Sequence, residues 1–497
     1  MSSMKEIIGE REIADKDQLA EIMGAGSIID DPAILEQYSH DMSFAGASQP
    51  VFIVKPKDTN QVRELVNWAN RTLMPLIPVS SGPPHFKGDT VPQQGGVIVD
   101  LSDMKKVIRI DRRNRVAMIE PGVTFADLKP EVEKEGMRLM FPLAPRATKS
   151  IIGSYLEREP ILVPKYHWDM SDPLCCVEIV FGTGDLFRTG AAAGPGTLEE
   201  QWASGQAQKS PVGPGPTDFA RVVQGSQGTM GIVTWATIRL ELLPSTQDLF
   251  TVGCESLDEI MDFVYQLQRL KLGDECLILD RLNLASILER DGQATEKLRS
   301  ALPPYVLIFV VAGYDRFPEE RLKYQTEDIL EIAERKGIHP FTHTGITPSR
   351  LLQALSEPCP EPYWKLRHKG NSADIFFLTT LDRSPEFVKV MNETAKETGF
   401  PDAGIGTYIQ PVQQGRCCHV EFNLTYDPSN ATDTAMAQMT FEKASNELML
   451  KGAFLSRPYG IWPRLISNQH AENVIALRKV KKIFDPNNVM NPGKLFY

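Results

Sequence analysis

A short loop crowded with glycine, proline and serine is the feature of this sequence that most constrains how the chain folds. Residues 78–92 read PVSSGPPHFKGDTVP, and strand-like runs, GGVIVDL and VAMIEPGV, follow it. Such a loop has few side chains to bury, so its backbone N–H groups can converge on a concavity and bind phosphate oxygens. Taken alone, the loop is more simply a structural turn, because turns rich in glycine and proline are common.

Length and composition narrow the class of protein. A chain of 497 residues is too long for one ordinary core and predicts two or three domains. Apolar residues make up 42% and charged residues 24% of the chain, which is typical of a globular protein. The formal net charge of -11 argues against a nucleic-acid partner or an anionic membrane surface, since either requires a basic face.

Cysteine usage and the N-terminus bear on metals and location. The seven cysteines form neither a C-x-x-C pair nor a disulfide framework. Two adjacent pairs, at 175–176 and 417–418, lie in strand-like runs, where neighbouring side chains point to opposite faces. We therefore predict buried free thiols, no metal and a cytoplasmic location. The charged N-terminus lacks a signal-peptide core and no apolar run is long enough to span a bilayer, so we expect no membrane span.

The pattern of strands and helices divides the sequence into two regions. Residues 20–245 alternate short Val/Ile-rich strands with occasional helices, one of them marked by an apolar stripe at Val62, Leu65, Val66 and Ala69. From about residue 246, strands alternate with longer amphipathic helices, which predicts an α+β sheet with helices on one face. Within the first region, residues 190–217 form a long Gly/Pro-rich segment, which is either a mobile surface loop or a docking element.

Five segments in order resemble the PCMH-type flavoprotein family that includes vanillyl-alcohol oxidase, the flavin subunit of 4-cresol dehydrogenase, and the FAD-linked D-lactate and glycolate dehydrogenases. The first two are the loop at 78–92 and VAMIEPGVTFADL. The third is CCVEIVFGTGDLFRTG, and the fourth contains GSQGTMGIVT at 225–234. The fifth is the closing FDPNNVMNPGK at 484–494, so the resemblance covers nearly the whole chain.

This resemblance implies an α+β fold and a bound FAD. It places an FAD-binding domain at residues 1–245, completed by the C-terminal segment 446–497, and an inserted α+β cap over residues 246–445. No residue identifies itself as a covalent flavin linkage, so we expect non-covalent FAD. The residues that the resemblance assigns to the cofactor are Ser80, Ser81, Gly82, Pro83, His85, Phe86, Gly88, Asp89, Pro145, Thr148, Gly153, Gly228, Thr229, Gly231, Ile232, Val233, Asn491 and Lys494.

One run of the cap carries the best candidate catalytic groups. In His419-Val420-Glu421-Phe422-Asn423, strand alternation puts His419, Glu421 and Asn423 on one face. These side chains could take a proton and orient a substrate, with His419 as the first choice of base and Glu421 the next. The alternative is an exposed polar strand face. Tyr166, His167, Trp168 and Asp169 are second-rank candidates.

Departures from the family pattern bear on the substrate. Pro83-Pro84 replaces the usual arginine or glycine, which stiffens the loop and removes two donors. Lys87 and Ser456 stand where the phenol-oxidising relatives have tyrosines, and Arg457 follows Ser456. Lys87 and Arg457 favour an anionic substrate, most simply a carboxylate, unless either cation pairs with a local acid such as Asp89. The His-rich metal motif of the hydroxy-acid branch is absent, which agrees with the prediction of no metal.

These observations predict an FAD-dependent enzyme that removes a hydride from a hydroxylated or benzylic, anionic small molecule and passes electrons to a protein or quinone acceptor. We expect a homo- or hetero-oligomer. The alternative is a flavin-binding subunit of a redox complex that does not itself catalyse. A nicotinamide-dependent enzyme is disfavoured because no G-x-G-x-x-G stands between a strand and a helix.

Overall fold

The computed structural model describes residues 15–93, 95–166, 173–205, 211–213, 217–339, 345–468 and 471–497. Its strands are β1 (Ile28–Ile29), β2 (Phe52–Val54), β3 (Leu76–Val79), β4 (Val97–Asp100), β5 (Val107–Asp111), β6 (Val116–Ile119), β7 (Met137–Arg138), β8 (Leu174–Phe181), β9 (Leu186–Arg188), β10 (Gly231–Arg239), β11 (Glu241–Leu242), β12 (Thr246–Cys254), β13 (Cys276–Asp280), β14 (Tyr305–Gly313), β15 (Asn371–Thr379), β16 (Ile405–Val412) and β17 (Cys417–Tyr426). Its α-helices are Pro32–Glu36, Thr59–Thr72, Phe125–Lys134, Ile151–Leu156, Leu198–Ala203, Ala220–Val223, Met261–Leu270, Arg281–Leu288, Gly292–Ala301, Pro318–Arg335, Pro348–Ser356, Ser384–Thr398, Ala431–Leu450, Trp462–Ser467 and Ala471–Phe484.

The first sheet carries the glycine-rich loop. Its strand order is β1-β2-β4-β3, and β2, β4 and β3 run parallel. Helix Thr59–Thr72 connects β2 to β3, starts at Asp58, whose side chain accepts the Gln61 N–H, and buries the predicted apolar stripe. The loop that begins at Ser80 leaves the carboxyl end of β3, the edge at which open sheets of this kind bind ligands.

A second sheet and the C-terminal segment complete this half of the molecule. The second sheet is antiparallel with strand order β5-β6-β10-β8-β9. Residues 489–491 return beside β3: the Leu76 N–H donates to the Val489 carbonyl at 2.7 Å, and the Asn491 N–H donates to the Leu76 carbonyl at 2.9 Å. The closing segment therefore lies next to the start of the strand that leads into the glycine-rich loop.

The third sheet is the largest and is antiparallel, with order β12-β14-β13-β16-β17-β15. Long helices such as Pro318–Arg335 and Ala431–Leu450 pack on one face over a core that contains Phe309, Val420 and Phe422. Contrary to the expectation of helices on one face, Arg281–Leu288 and Pro348–Ser356 pack with the opposite face, because residues of the other parity, such as Ile308, are also apolar. A sheet buried on both sides requires a cover on each.

The α+β class predicted from the sequence is confirmed. The boundaries at 245 and 445 stay predictions; the second of them falls inside helix Ala431–Leu450, which packs against β15 and β17 of the third sheet. In β17, period-two alternation buries Val420 and Phe422 among the helices, so His419, Glu421 and Asn423 share the opposite face.

Candidate active site

The glycine-rich loop opens onto a cavity, called here the inner cavity, that three segments of the first half of the chain enclose. The segments are β3 with its loop, helix Ile151–Leu156, and the stretch from Val223 to Val233. Ser150 joins two of them: its N–H donates to the Ser81 hydroxyl at 2.9 Å, and its own hydroxyl oxygen accepts the Gly153 N–H at 2.9 Å. Ser150 therefore caps this short helix and also holds the glycine-rich loop in place.

Two glycines of the inner cavity wall leave little or no room for a side chain. A Cβ at Gly228, where φ is +71°, would lie 2.4 Å from Cγ of Pro78. A Cβ at Gly153 would lie 2.8 Å from the hydroxyl of Ser80. Side chains at these positions would displace Pro78 and Ser80, which line the cavity. The two glycines therefore leave the backbone along the cavity free of side chains.

Side chains from outside the cavity hold the loop in place. Arg146, which is buried, donates to the carbonyls of Pro83 at 3.3 Å and Pro84 at 2.6 Å. On the other flank, Lys494 donates to the Gly88 carbonyl at 2.7 Å, and Asn491 donates to the carbonyls of Asp89 and Gln227 at 2.9 and 2.7 Å. The residues of the closing motif therefore position the two cavity loops.

His85 presents an unsatisfied nitrogen at the cavity. Its ring borders both the inner cavity and its neighbour, and its buried Nε2 has no hydrogen-bond partner within the described chain. Burial lowers the pKa of His85 to about 4, so the imidazole is neutral at pH 7. A buried imidazole nitrogen without a partner is costly unless a ligand bonds to it.

A second cavity, called here the front cavity, adjoins the inner cavity and reaches the third sheet. It shares Ser81, His85, Asp89, Thr90 and Glu157 with the inner cavity. Its walls include five aromatic side chains, which are Phe86, Tyr363, Trp364, Phe376 and Tyr408. Its other notable feature is buried and half-buried charge, which lies in two clusters and one separate guanidinium.

The first cluster pairs two lysines with two carboxylates. Lys87 binds Glu157 and lies 3.5 Å from Glu159, while Lys149 lies 3.1 and 2.6 Å from the same carboxylates. Burial alone raises the pKa of the Glu157 carboxyl, but Lys149 and Lys87 outweigh it and hold the pKa below its ordinary value. Of the two sequence alternatives for Lys87, the structure favours pairing with local acids, although the partners are not the expected Asp89.

The second cluster surrounds Glu421 on β17. Lys365 lies 2.5 Å from carboxylate oxygens of both Glu421 and Asp374, and Asn423 donates to the same two carboxylates at 2.8 and 2.7 Å. The ionised Glu421 carboxylate can only accept, so His419 donates from Nε2 to its other oxygen at 3.2 Å, and burial lowers the pKa of His419. Despite its burial, Glu421 stays ionised, since Lys365 and His419 hold its pKa well below the ordinary value.

Arg457 is the separate guanidinium. It is 4% exposed, its centre lies 4.2 Å from the Phe376 ring centroid, and it donates to the Glu157 carbonyl at 3.3 Å. No carboxylate in the described residues forms a salt bridge with it. A buried guanidinium that no anion neutralises is poised to bind one.

The structure brings many, but not all, of the sequence-predicted residues to these cavities. Those on the inner cavity are Ser80, Ser81, His85, Asp89, Gly153, Gly228, Gly231, Ile232 and Val233. Those on the front cavity are Ser81, His85, Phe86, Lys87, Asp89, Pro145, Glu421 and Arg457. Those that do not border either cavity are Gly82, Pro83, Gly88, Thr148, Thr229, His419, Asn423, Asn491 and Lys494.

The residues away from the cavities have identifiable tasks. The Gly88 N–H donates to Asp41 at 2.5 Å, so it is not free for a phosphate. Thr229 is fully buried and its hydroxyl donates to the Ser226 carbonyl at 2.7 Å. The Thr148 hydroxyl accepts a hydrogen bond from Arg146 at 3.1 Å. His419 is hydrogen-bonded to Glu421 and does not border the cavity itself. Tests of cofactor binding therefore belong at Gly228 and Gly153 rather than at Gly88.

Sequence reasoning missed several front-cavity residues. Glu157 and Glu159 directly follow helix Ile151–Leu156, so charges beside a predicted cofactor loop were a usable signal. Asp374 and Tyr408 meet through the pairing of β15, β16 and β17, and Lys365 reaches Asp374 and Glu421 from the turn at Trp364–Leu366, which no local pattern reveals.

Some predictions fall outside the described residues. The side chains at 166–169 are among these, as are positions 206–210 and 214–216 of the candidate docking loop. In the part of the chain that is described, no helix is long and apolar enough to cross a membrane. The same residues contain no group of three or more His, Cys, Asp or Glu arranged to hold a metal.

Known proteins resemble this chain in sequence and in fold. A family model described as an FAD binding domain matches residues 50–190, and one described as the C-terminal domain of FAD linked oxidases matches residues 464–495. The chain is 25% identical to the glycolate oxidase subunit GlcD of Bacillus subtilis, over 97% of this chain and 96% of that protein. It is 24% identical to D-2-hydroxyglutarate dehydrogenase of Stutzerimonas stutzeri, over 97% and 98%. A solved structure of p-cresol methylhydroxylase with bound substrate superposes with a TM-score of 0.82 at 20% identity, over 97% and 96%.

The fold and these relatives define an FAD-dependent dehydrogenase or oxidase. The chain matches the models of an FAD binding domain and of the C-terminal domain of FAD linked oxidases, which confirms the resemblance predicted from its sequence motifs. The inner cavity fits FAD on its own evidence: glycine walls, the free Nε2 of His85, and the hydroxyl of Ser80, to which no described group bonds. Neutral N–H and O–H donors of this kind bind a diphosphate without a lysine.

Proposed function

We propose that this protein oxidises a small anionic molecule at a hydroxylated or benzylic carbon and passes the electrons to a separate protein or quinone acceptor. The observation that carries the anionic substrate is Arg457. The cations Lys87, Lys149 and Lys365 on the front cavity already have carboxylate partners, whereas the buried Arg457 guanidinium has no described one. A substrate carboxylate would supply that partner.

Bound FAD supplies the oxidant, because it accepts a hydride from such a carbon. We propose that the inner cavity holds it through the backbone along Gly153 and Gly228, the Ser80 hydroxyl and His85 Nε2. The binding is proposed to be non-covalent, and release of the yellow colour on acid denaturation would support that.

The front cavity then binds and orients the substrate. Arg457 binds the anionic group, while Phe376 and its aromatic neighbours exclude water from the space around it. Lys365, His419 and Asn423 fix the Glu421 carboxylate on the cavity wall, where its charge can orient the substrate. In this proposal His419 positions Glu421 and does not contact the substrate.

The relatives support the reaction type without fixing the substrate. GlcD is named for glycolate and the Stutzerimonas enzyme for D-2-hydroxyglutarate, both hydroxy acids, and the similar solved structure is named for p-cresol. The aromatic walls accommodate a ring, and Arg457 favours a carboxylate over a neutral phenol. GlcD is also named as a subunit, which supports a separate electron acceptor here.

Anaerobic flavin reduction tests the proposal. The purified protein is mixed with glycolate, D-lactate, D-2-hydroxyglutarate, 4-(hydroxymethyl)benzoate, benzyl alcohol and p-cresol, and bleaching of the flavin band is followed. We expect a carboxylate to bleach it fastest, and reoxidation by a quinone or cytochrome to exceed that by oxygen. Bleaching by no compound of the panel would contradict the enzyme proposal and leave the non-catalytic flavin subunit. Faster bleaching by the neutral compounds would contradict the anionic substrate.

A further inference from the structure

Asp89 lies where three open spaces of the molecule meet. Besides the inner and front cavities, a groove runs between residues 43–48, helix Ala431–Leu450 and residues 493–497. Asp89 is the single residue of the described chain that borders all three. It therefore stands at the junction between the proposed cofactor space, the proposed substrate space and an outer opening.

Asp89 is also the one front-cavity carboxylate without a salt-bridge partner among the described residues. Glu157 and Glu159 pair with Lys87 and Lys149, and Asp374 and Glu421 pair with Lys365. No other described residue donates a hydrogen bond to the Asp89 carboxylate. The nearby Lys494 donates to the Gly88 carbonyl instead.

The charges of the front cavity thus leave one cation and one anion unpaired, namely Arg457 and Asp89. They do not pair with each other, since no salt bridge within 4.0 Å joins them among the described residues. Two uncompensated charges of opposite sign on one cavity match a substrate that brings an anionic group and a removable proton. Arg457 can bind the anionic group, which leaves Asp89 to accept the proton.

The surroundings give Asp89 the basicity of a proton acceptor. Burial is the largest cause and the Glu157 carboxylate the next, and together with Asp41 they raise the pKa of Asp89 to about 6 against the opposing effect of Lys87. A catalytic base works best when its pKa lies near the operating pH. The titratable and charged groups that face it are Asp41, His85, Lys87, Glu157, Tyr459 and Lys494.

We propose that Asp89 accepts the hydroxyl proton of the substrate as the substrate is oxidised. The O–H bond breaks toward the Asp89 carboxylate, the C–H bond gives its hydride to FAD, and a C=O bond forms. This inference rests on the proposed function. Glu421 is less suited to the task, because Lys365, Asn423 and His419 already donate to its two oxygens.

The test compares Asp89→Asn with Glu421→Gln in the FAD-bound protein, using the fastest compound of the reduction panel. Asp89→Asn removes the acceptor without changing its shape, so we expect retained flavin and reduction slowed by about 10²- to 10⁴-fold. In the wild type the rate should rise with pH through an apparent pKa near that of Asp89 and then level off, because the acceptor must be ionised. Asp89→Asn should lose this rise and Glu421→Gln should keep it. The proposal is overturned if Asp89→Asn keeps both rate and profile, or if Glu421→Gln alone loses the rise.

A second readout does not depend on turnover. Infrared difference spectra of the wild type against Asp89→Asn, taken from about pH 5 to about pH 8, report the protonated carboxyl of this one residue. We expect its band to disappear near pH 6. A carboxyl that is already ionised at the acid end contradicts the proposal even if no compound of the panel reduces the flavin. If no compound of the panel reduces the flavin, that result counts against the proposed function but not against the titration of Asp89.

Discussion

The inner and front cavities share a wall but recognise their ligands by opposite means. Among the residues that border the inner cavity, only Asp89 and Glu157 carry a formal charge, and its walls are otherwise glycine backbone, hydroxyls and apolar side chains. Ten residues of the front cavity are charged, and nearly all of them are paired. In the proposed assignment, the cofactor site is therefore set by shape and backbone, whereas the substrate site is set by which charges remain unpaired.

The largest effect is expected where the inner cavity depends on glycine. Gly228→Val should abolish FAD binding, because its Cβ would lie 2.4 Å from Pro78 and a branched side chain cannot adopt the φ of +71° without strain. Flavin absorbance per mole of protein measures the loss. Gly26→Val is the matched control, since a Cβ there meets nothing within 4 Å and its φ is ordinary. Gly153→Ala is the milder variant; full flavin content in a folded Gly228→Val protein would refute the cavity assignment.

Breaking a charge pair of the front cavity should lower the free energy of unfolding more than breaking a surface pair. Lys365→Met leaves the buried Glu421 and the half-buried Asp374 carboxylates without their cation, so we expect a loss of about 3–5 kcal/mol in the free energy of unfolding. Denaturant unfolding measures it. Lys336→Met is the control: its pair with Asp262 is exposed and should cost about 0–1 kcal/mol. Equal losses in the two variants would mean that the front cluster is not a buried network.

His85 gives the inner cavity a pH dependence of its own. Its folded pKa of about 4 lies below the ordinary value of about 6.5, so protons bind the unfolded chain first. The stability contributed by neutral His85 is complete above about pH 6.5 and should be lost as the pH falls to about 4, by roughly 3 kcal/mol. His85→Gln cannot titrate and should lack this part of the slope. Parallel stability curves for the two proteins would show that the ring is not desolvated.

The same contrast explains what the sequence could and could not predict. Gly153, Gly228 and Ser80 belong to short local motifs, so linear pattern and resemblance could assign them to one site, and the structure brings all three to the inner cavity. Period-two alternation also placed Glu421 with His419 on one face of β17, because strand geometry fixes side-chain direction. The partner of Lys87 was not predictable, since Glu157 and Asp89 are both acids near the loop and only the packed structure selects one. Lys365 and Asp374 were missed because tertiary pairing alone brings them to Glu421.

The most direct test of the account asks whether Arg457 distinguishes an anionic substrate from a neutral one. Flavin reduction is measured anaerobically for the wild type and Arg457→Gln, each with the best carboxylate of the panel and with its primary amide. A hydrogen bond to a charged group contributes about 1.5–3 kcal/mol, so the wild type should prefer the carboxylate by about 10- to 150-fold in kcat/KM, and the variant should lose that preference while retaining FAD. An undiminished preference in Arg457→Gln would contradict the account.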